Sequence, residues 1–129
     1  MTNLLWVAAG GAVGAVLRYL VSLQMVSLSG DKFPWATLTA NLTGCLLIGM
    51  MWSLTLHRSA PEGVLLFLMV GLIGAFTTFS TYSLEGVQMI QSGKLMAGFA
   101  YVLVSNLAGL FFVIAGKSFF DRIYVALGS

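Results

Sequence analysis

The sequence predicts an all-α membrane protein with four transmembrane helices per chain. Of its 129 residues, 59% are hydrophobic and 8% are charged, whereas a soluble domain carries about 25% charged residues. The mean hydropathy is +0.98, and polar groups are too few to cover so much apolar surface in water. Four apolar stretches reach the length of about 20 residues that a helix needs to cross a bilayer. We expect one transmembrane domain that fills residues 1–129.

The four helices are expected at about 3–26, 35–56, 63–91 and 95–119. Pro34 is placed to open the second helix, and Gly93 is placed to end the third as a left-handed residue. Because the connections are short, helices that are adjacent in sequence must run antiparallel. In the first helix, Gly10 and Gly14 share a face, which predicts close packing against a neighbour.

Charge and motifs exclude several classes of function. A scattered net charge of +2 is too small to indicate nucleic-acid binding. The single cysteine, Cys45, cannot form an intramolecular disulfide, and an inert buried thiol is its simplest role. The sequence contains no nucleophile–base pair, phosphate loop or metal-ligand spacing. We therefore expect that the protein is not an enzyme.

The basic residues divide almost evenly between the two sides of the predicted bundle. Positive charge in short loops sets orientation, the cytoplasmic side being richer. Near balance favours dual topology, in which copies insert both ways and pair as an antiparallel homodimer. The alternative is a weakly biased protein that insertion machinery holds in one orientation. The residues counted are Arg58, Lys117 and Arg122 on one side, and Lys32, Lys94 and, if it reaches that interface, Arg18 on the other.

The most unusual segment, residues 71–83, lies in the middle of the third span. Two glycines three residues apart precede five hydroxyl residues within seven positions. Gly, Ser and Thr weaken a helix, and a break inside the membrane is tolerated only where it is buried or lines a cavity. Two interpretations stay open. The helix is broken and a second copy completes a cage of carbonyls around a cation, or the segment is a packing seam of small residues.

Polar and aromatic side chains of the second and third spans mark a candidate path for an anion. Phe79 and Tyr82 share a helix face, and the positive edges of aromatic rings can solvate a small anion. Ser80 and Thr81 offer O–H donors, and Asn41 offers N–H donors. A hydrogen bond between helices is the simpler role for Asn41.

The fourth span and two ionisable residues complete the candidate site. Tyr101, Ser105 and Asn106 could continue the polar track or lock helices together. Arg18 either extends to the interface or concentrates anions at a vestibule. Glu85 is the only acidic residue within a predicted span.

Three segments together resemble the Fluc family of fluoride channels, also called CrcB. They are Gly10-Gly11 with Gly14 and Arg18-Tyr19, the segment 37–44, and the segment 74–85. The last motif is highly specific, and the resemblance covers nearly the whole chain.

The resemblance implies an antiparallel homodimer with two pores that exports fluoride passively across the inner membrane. It implies a structural sodium held by the backbone carbonyls of Gly74 and Thr77, and no organic cofactor. Fluoride would pass Asn41, the two rings, the hydroxyls of Ser80 and Thr81, and the track on the fourth helix. Tyr82 departs from the family, where the second aromatic residue is usually Phe, and its hydroxyl could donate to fluoride or narrow the path.

Two other functions remain as alternatives. A dual-topology, proton-coupled exporter of small molecules has the same size and charge balance, but it needs an acid deep in the membrane, typically in the first helix. Only Glu85 could serve here. A non-transporting assembly subunit is the third option.

Overall fold

A computed structural model describes residues 1–29, 33–57 and 60–126, and these ranges are helical with short connections. Helix α1 is Thr2–Ser29, and α2 is Trp35–His57. The third span consists of α3 (62–76) and α4 (Phe79–Gln91), and α5 is Leu95–Ala126. Four stretches are long and apolar enough to cross a membrane. The predicted number of spans is confirmed.

The first and fourth helices extend further than hydropathy predicts. Helix α1 continues to Ser29, and α5 continues to Ala126 instead of ending near 119. A helix of 32 residues is about 48 Å long, whereas the hydrocarbon core is about 30 Å thick. Hydropathy measures the apolar length, but backbone hydrogen bonds carry a helix on into the polar interface.

Two of the predicted helix boundaries are present. The backbone N–H of Leu38 donates to the carbonyl of Pro34 at 3.1 Å, so Pro34 stands immediately before the first turn of α2. Gly93 has φ of 83°, and the N–H of Lys94 reaches back to the Met89 carbonyl at 3.0 Å, which is the usual glycine-ended helix stop. The predicted loop residues 30–32 and 58–59, with Lys32 and Arg58, lie outside the described residues.

Helix α1 packs on α3 with the two backbones in close contact. An added Cβ at Gly10 would overlap the carbonyl oxygen of Phe67, and one at Gly14 would overlap that of Leu72. Both carbonyls belong to Leu66–Ile73, which is a wider π-helical stretch. The close-packing face predicted for α1 is confirmed. Contacts advance in the same order along both helices, so α1 and α3 are parallel.

Helices α2 and α5 form a second pair of the same kind. A Cβ at Gly49 would overlap the Val113 carbonyl, and one at Gly116 would overlap the Leu46 carbonyl. Near the end of this pair, Asp121 accepts a hydrogen bond from Ser53, and it bonds Lys117 at 2.7 Å and His57 at 2.9 Å. Gly109 adjoins Cys45 nearer the start of this pair, and Asp121 bonds Ser53 nearer its end, so α2 and α5 are parallel.

Helix α4 crosses this second pair in the opposite direction. Contacts with α5 run from Tyr82–Asn106 to Glu85–Tyr101, and contacts with α2 run from Thr78–Asn41 to Glu85–Thr37. Most polar side chains of the spans therefore meet where α2, α4 and α5 adjoin.

Candidate functional site

The third span is interrupted at Thr77 and Thr78. Both residues have extended backbone, with φ and ψ of −83° and 158° for Thr77 and of −149° and 121° for Thr78. Thr78 is the N-cap of α4, because its hydroxyl accepts a hydrogen bond from the N–H of Thr81 at 3.3 Å. The broken helix expected from the sequence is present. The segment also packs closely on a neighbour, because an added Cβ at Gly71 would overlap the backbone of α1.

Asn41 of α2 binds the backbone at this break through both ends of its amide. Its Oδ1 accepts from the N–H of Thr78 at 2.8 Å, and its Nδ2 donates to the Thr78 carbonyl at 3.1 Å. A buried backbone group left unpaired costs as much as a lost hydrogen bond, and Asn41 removes that cost at Thr78. One turn along α2, Gly44 leaves space for the Thr77 methyl group, which an added Cβ would overlap.

The break deprives carbonyl groups of their helical donors. In a continuous helix, the N–H groups of Thr78 and Thr81 would serve Gly74 and Thr77, but they donate to Asn41 and to the Thr78 hydroxyl instead. Arg18 Nε donates to the carbonyl of Ala75 at 3.2 Å. Arg18 therefore lies against the end of α3.

A groove of about 360 Å³ opens beside the break, between α2, α4 and α5. It brings together five of the residues predicted for the ion path and carries no charged side chain in its lining. Phe79 is 79% exposed and Tyr82 is 8% exposed, with their ring centroids 5.7 Å apart. The groove residues are Asn41, Cys45, Thr78, Phe79, Tyr82, Ser105, Asn106, Gly109, Leu110 and Val113.

Hydrogen-bond donors of α5 face this groove. The hydroxyl of Ser105 is buried and has no hydrogen-bond partner among the described residues. Asn106 Nδ2 donates to the Tyr82 hydroxyl and to the Val102 carbonyl, both at 2.7 Å. An unpaired buried hydroxyl is rare because it costs about 1–3 kcal/mol. The Ser105 hydroxyl is therefore able to donate to a partner other than the described residues of this chain.

Tyr101 and Glu85 lie on the other side of the Tyr82 ring. Tyr101 is 1% exposed, its ring centroid is 5.4 Å from that of Tyr82, and its hydroxyl donates to Glu85 at 2.8 Å. Thr37 donates to the other carboxylate oxygen at 2.7 Å. Glu85 is thus paired with two hydroxyl groups.

A second cavity, of about 370 Å³, begins at Glu85. Gln88, Ser92 and Lys94 also line it, and these residues lie toward the end of α4 and in the following turn. Of the two residues predicted for a vestibule, Glu85 lines this cavity, whereas Arg18 lines neither cavity. Tyr101 contacts a lining residue of each cavity, Glu85 of this one and Tyr82 of the groove.

The structure distributes the remaining predicted residues differently. Ser80 is exposed, with its hydroxyl 3.5 Å from that of Thr78, and Thr81 accepts from the Thr78 hydroxyl at 3.0 Å. Neither lines the groove. The sequence prediction did not include Thr78, which lines the groove, or Thr37, which donates to Glu85. Thr37 could have been found, because it lies one turn before Asn41 and so shares its helix face.

Within the described residues, no group of three or more His, Cys, Asp or Glu side chains could hold a metal ion. A cation at the break would therefore depend on backbone carbonyls. Each chain brings the freed carbonyls of Gly74 and Thr77, which are hard oxygen ligands suited to an alkali cation, but two oxygens are fewer than such an ion requires. The donor set fits sodium only if a second copy adds its own carbonyls.

Four apolar spans, a third span broken near its middle and a donor-lined groove are typical of a multi-pass membrane protein of the channel and transporter class. The profile of the family described as CrcB-like protein, Camphor Resistance (CrcB), matches residues 5–117. The chain belongs to this family.

Curated relatives align with this chain over most or all of their own lengths. The "Fluoride-specific ion channel FluC" of Salinibacter ruber is 47% identical over 90% of this chain and 87% of its own. The proteins of that name from Rhizobium meliloti and Shewanella woodyi are 42% and 40% identical, over 90% and 95% of this chain and 94% and 100% of theirs. The names are those of ion channels and not of enzymes, in agreement with the sequence prediction.

Proposed function

We propose that this chain forms a fluoride-selective channel that exports fluoride passively across the bacterial inner membrane. The proposal depends on one observation above all. This observation is that the chain matches proteins named as fluoride-specific ion channels over nine-tenths of its length. The groove is in agreement, because it presents donors and ring edges without a charged residue.

Fluoride is small, strongly hydrated and a strong hydrogen-bond acceptor. A pore for it must replace water with N–H, O–H and ring-edge donors, and it must bind weakly enough to let the ion leave. Ser105 supplies an unpaired O–H, and the rings of Phe79 and Tyr82 supply positive edges. An uncharged lining suits rapid exit, because a fixed positive charge would hold the anion.

The conducting unit that we propose is an antiparallel homodimer with two pores. In the single chain the side chains of Ser80 and Asn106 are exposed, and Asn106 lines the groove. Polar side chains exposed to hydrocarbon are costly, so a second copy that covers this face removes the cost and closes the groove into a pore. The near balance of basic residues favours dual topology, which supplies the inverted copy.

A sodium ion at the centre of this dimer is the second part of the proposal. The Gly74 and Thr77 carbonyls of two copies would hold it, and its positive charge would favour anions in both nearby grooves. We expect sodium chloride to raise the thermal stability of the dimer above that in N-methylglucamine chloride at equal ionic strength. Equal stability in the two salts would argue against the sodium site.

A proton-coupled exporter is the alternative function, and Glu85 is the acidic residue that it would use. Its carboxylate accepts two hydrogen bonds, from Thr37 and Tyr101, and it adjoins a cavity near the end of the span. An exporter would use that acid as a proton carrier, and a pH gradient would then drive transport. A channel needs no gradient other than that of fluoride.

Efflux from liposomes that contain the purified protein tests the proposal. Vesicles loaded with the potassium salts of fluoride and chloride are diluted into an impermeant anion. A potassium ionophore carries the compensating charge, and ion electrodes record each loss. We expect fast fluoride loss with chloride retained and no requirement for a pH gradient. Retention of both ions would contradict the channel, and flux that requires a pH gradient would favour the exporter.

A further inference from the structure

Tyr82 carries a hydroxyl group that its packing does not require. The ring is 8% exposed and lies between Phe79 and Tyr101, with centroid distances of 5.7 and 5.4 Å. A phenylalanine ring would make the same contacts. What the hydroxyl adds to this site is its hydrogen bonds.

Asn106 fixes the oxygen of that hydroxyl as an acceptor. Its Nδ2 donates to the Tyr82 oxygen at 2.7 Å and to the Val102 carbonyl, one helical turn earlier, at 2.7 Å. Both protons of the amide nitrogen are therefore committed. The second bond holds the Asn106 side chain along α5, so the first can only point at Tyr82.

The Tyr82 hydroxyl donates only a weak hydrogen bond within the described residues. The acceptor for it is the Val102 carbonyl at 3.5 Å, well beyond the 2.5–3.0 Å of an ordinary O–H···O bond. That carbonyl already accepts from Asn106 at a shorter distance. Tyr82 also lines the groove, together with the unpaired hydroxyl of Ser105. Two O–H groups of one groove therefore have protons without a strong acceptor.

We propose that Asn106 positions the Tyr82 hydroxyl as an additional donor to the anion in the groove. A hydroxyl that accepts one hydrogen bond donates more strongly, so the Asn106 amide both aims and strengthens this donor. The ligand is a small monovalent anion that accepts strong hydrogen bonds, and Asn106 is a positioning residue that acts through Tyr82. The inference rests on the proposed fluoride channel and adds a donor that a phenylalanine would not supply.

A double-mutant cycle tests the inference through fluoride efflux from liposomes. We expect Tyr82→Phe and Asn106→Leu each to slow efflux about tenfold, the effect of one hydrogen bond to a charged group. The double variant should be no slower than Tyr82→Phe alone, because Asn106 acts only through the hydroxyl. Tyr19→Phe, the same change on an exposed residue of α1, is the matched control and should leave efflux unchanged.

A spectroscopic measurement on the wild-type protein keeps the test independent of variant folding. With tyrosine labelled at ¹³Cζ, fluoride should move the resonance that Tyr82→Phe removes, and chloride at equal concentration should not. Fluoride efflux that Tyr82→Phe leaves unchanged, losses that add in the double variant, or a Tyr82 resonance that fluoride does not move would each overturn the inference. Absence of fluoride efflux from the wild-type protein would instead refute the channel itself.

Discussion

The two halves of the third span have different surroundings. Helix α3 lies against α1 with glycine-mediated backbone contacts, whereas α4 faces α2 and α5 with hydroxyl groups, aromatic rings and two cavities. Helix α3 is therefore a packed scaffold, whereas α4 presents the polar and aromatic side chains of the candidate site. The break at Thr77 and Thr78 is the junction between them. Two sets of contacts hold the break in place beside the groove: the packing of α3 on α1 and the two hydrogen bonds of Asn41 to Thr78.

Removal of the Asn41 amide should have the largest effect on stability and fluoride efflux, because this amide binds the backbone at the break. Asn41→Ala leaves the N–H and the carbonyl of Thr78 unpaired, at a cost of about 1–3 kcal/mol for each group. We expect a lower unfolding temperature, faster hydrogen–deuterium exchange in residues 77–81, and fluoride efflux slower by at least about tenfold.

Asn3→Ala is the matched control for this change. Asn3 donates to Glu62 at 3.0 Å at the exposed end of α1, and an exposed hydrogen bond of this kind contributes little. If Asn41→Ala slows efflux but leaves hydrogen exchange at the break unchanged, Asn41 acts as a donor to the ion and not as a support of the backbone.

The substitution Gly14→Ala, which adds one methyl group, tests the packing of α1 on α3. A Cβ there would overlap the Leu72 carbonyl, and since the obstacle is backbone, α1 and α3 must separate. We expect Gly14→Ala to destabilise the protein by about 1–3 kcal/mol, the usual cost of overpacking, seen as a lower unfolding temperature in detergent.

Gly11 provides the control three residues away. An added Cβ at Gly11 meets no atom within 4 Å, so Gly11→Ala should leave stability unchanged or raise it slightly through helix propensity. Equal losses for the two variants would mean that α1 and α3 do not pack in the described register.

The smallest effect is expected at Glu85. Glutamine keeps one carbonyl acceptor for Thr37 or Tyr101, and the other hydroxyl can rotate to accept from the amide. Glu85→Gln should therefore change stability by less than about 1 kcal/mol and fluoride efflux by only a few-fold. Transport that is driven by a pH gradient and abolished by this variant would identify an exporter instead.

The sequence was sufficient to predict the four spans and the location of the break. Apolar length determines a membrane helix, and five hydroxyl residues after two glycines are a poor helix sequence wherever they occur. The helix ends were less predictable, since α5 continues seven residues past its apolar stretch through backbone bonds that hydropathy does not measure.

The contacts of individual site residues could not be predicted from spacing. For Asn41 the sequence left two roles open, a donor to the ion and a hydrogen bond between helices. The structure shows a bond between helices, but spacing could not identify Thr78 as the partner, because residues 41 and 78 are far apart along the chain. Likewise Tyr101 faces Glu85 and not the groove. Periodicity gives the face on which a side chain lies, whereas its partner depends on how three helices cross.

Fluoride efflux through Ser105→Ala tests most directly the claim that the groove is the ion path. The Ser105 hydroxyl is buried without a partner among the described residues, so its removal relieves a cost of about 1–3 kcal/mol and should not lower the unfolding temperature. The account predicts that this equally stable variant loses fluoride at least about tenfold more slowly than the wild-type protein. Unchanged efflux through a folded Ser105→Ala protein would contradict it and place the ion path elsewhere.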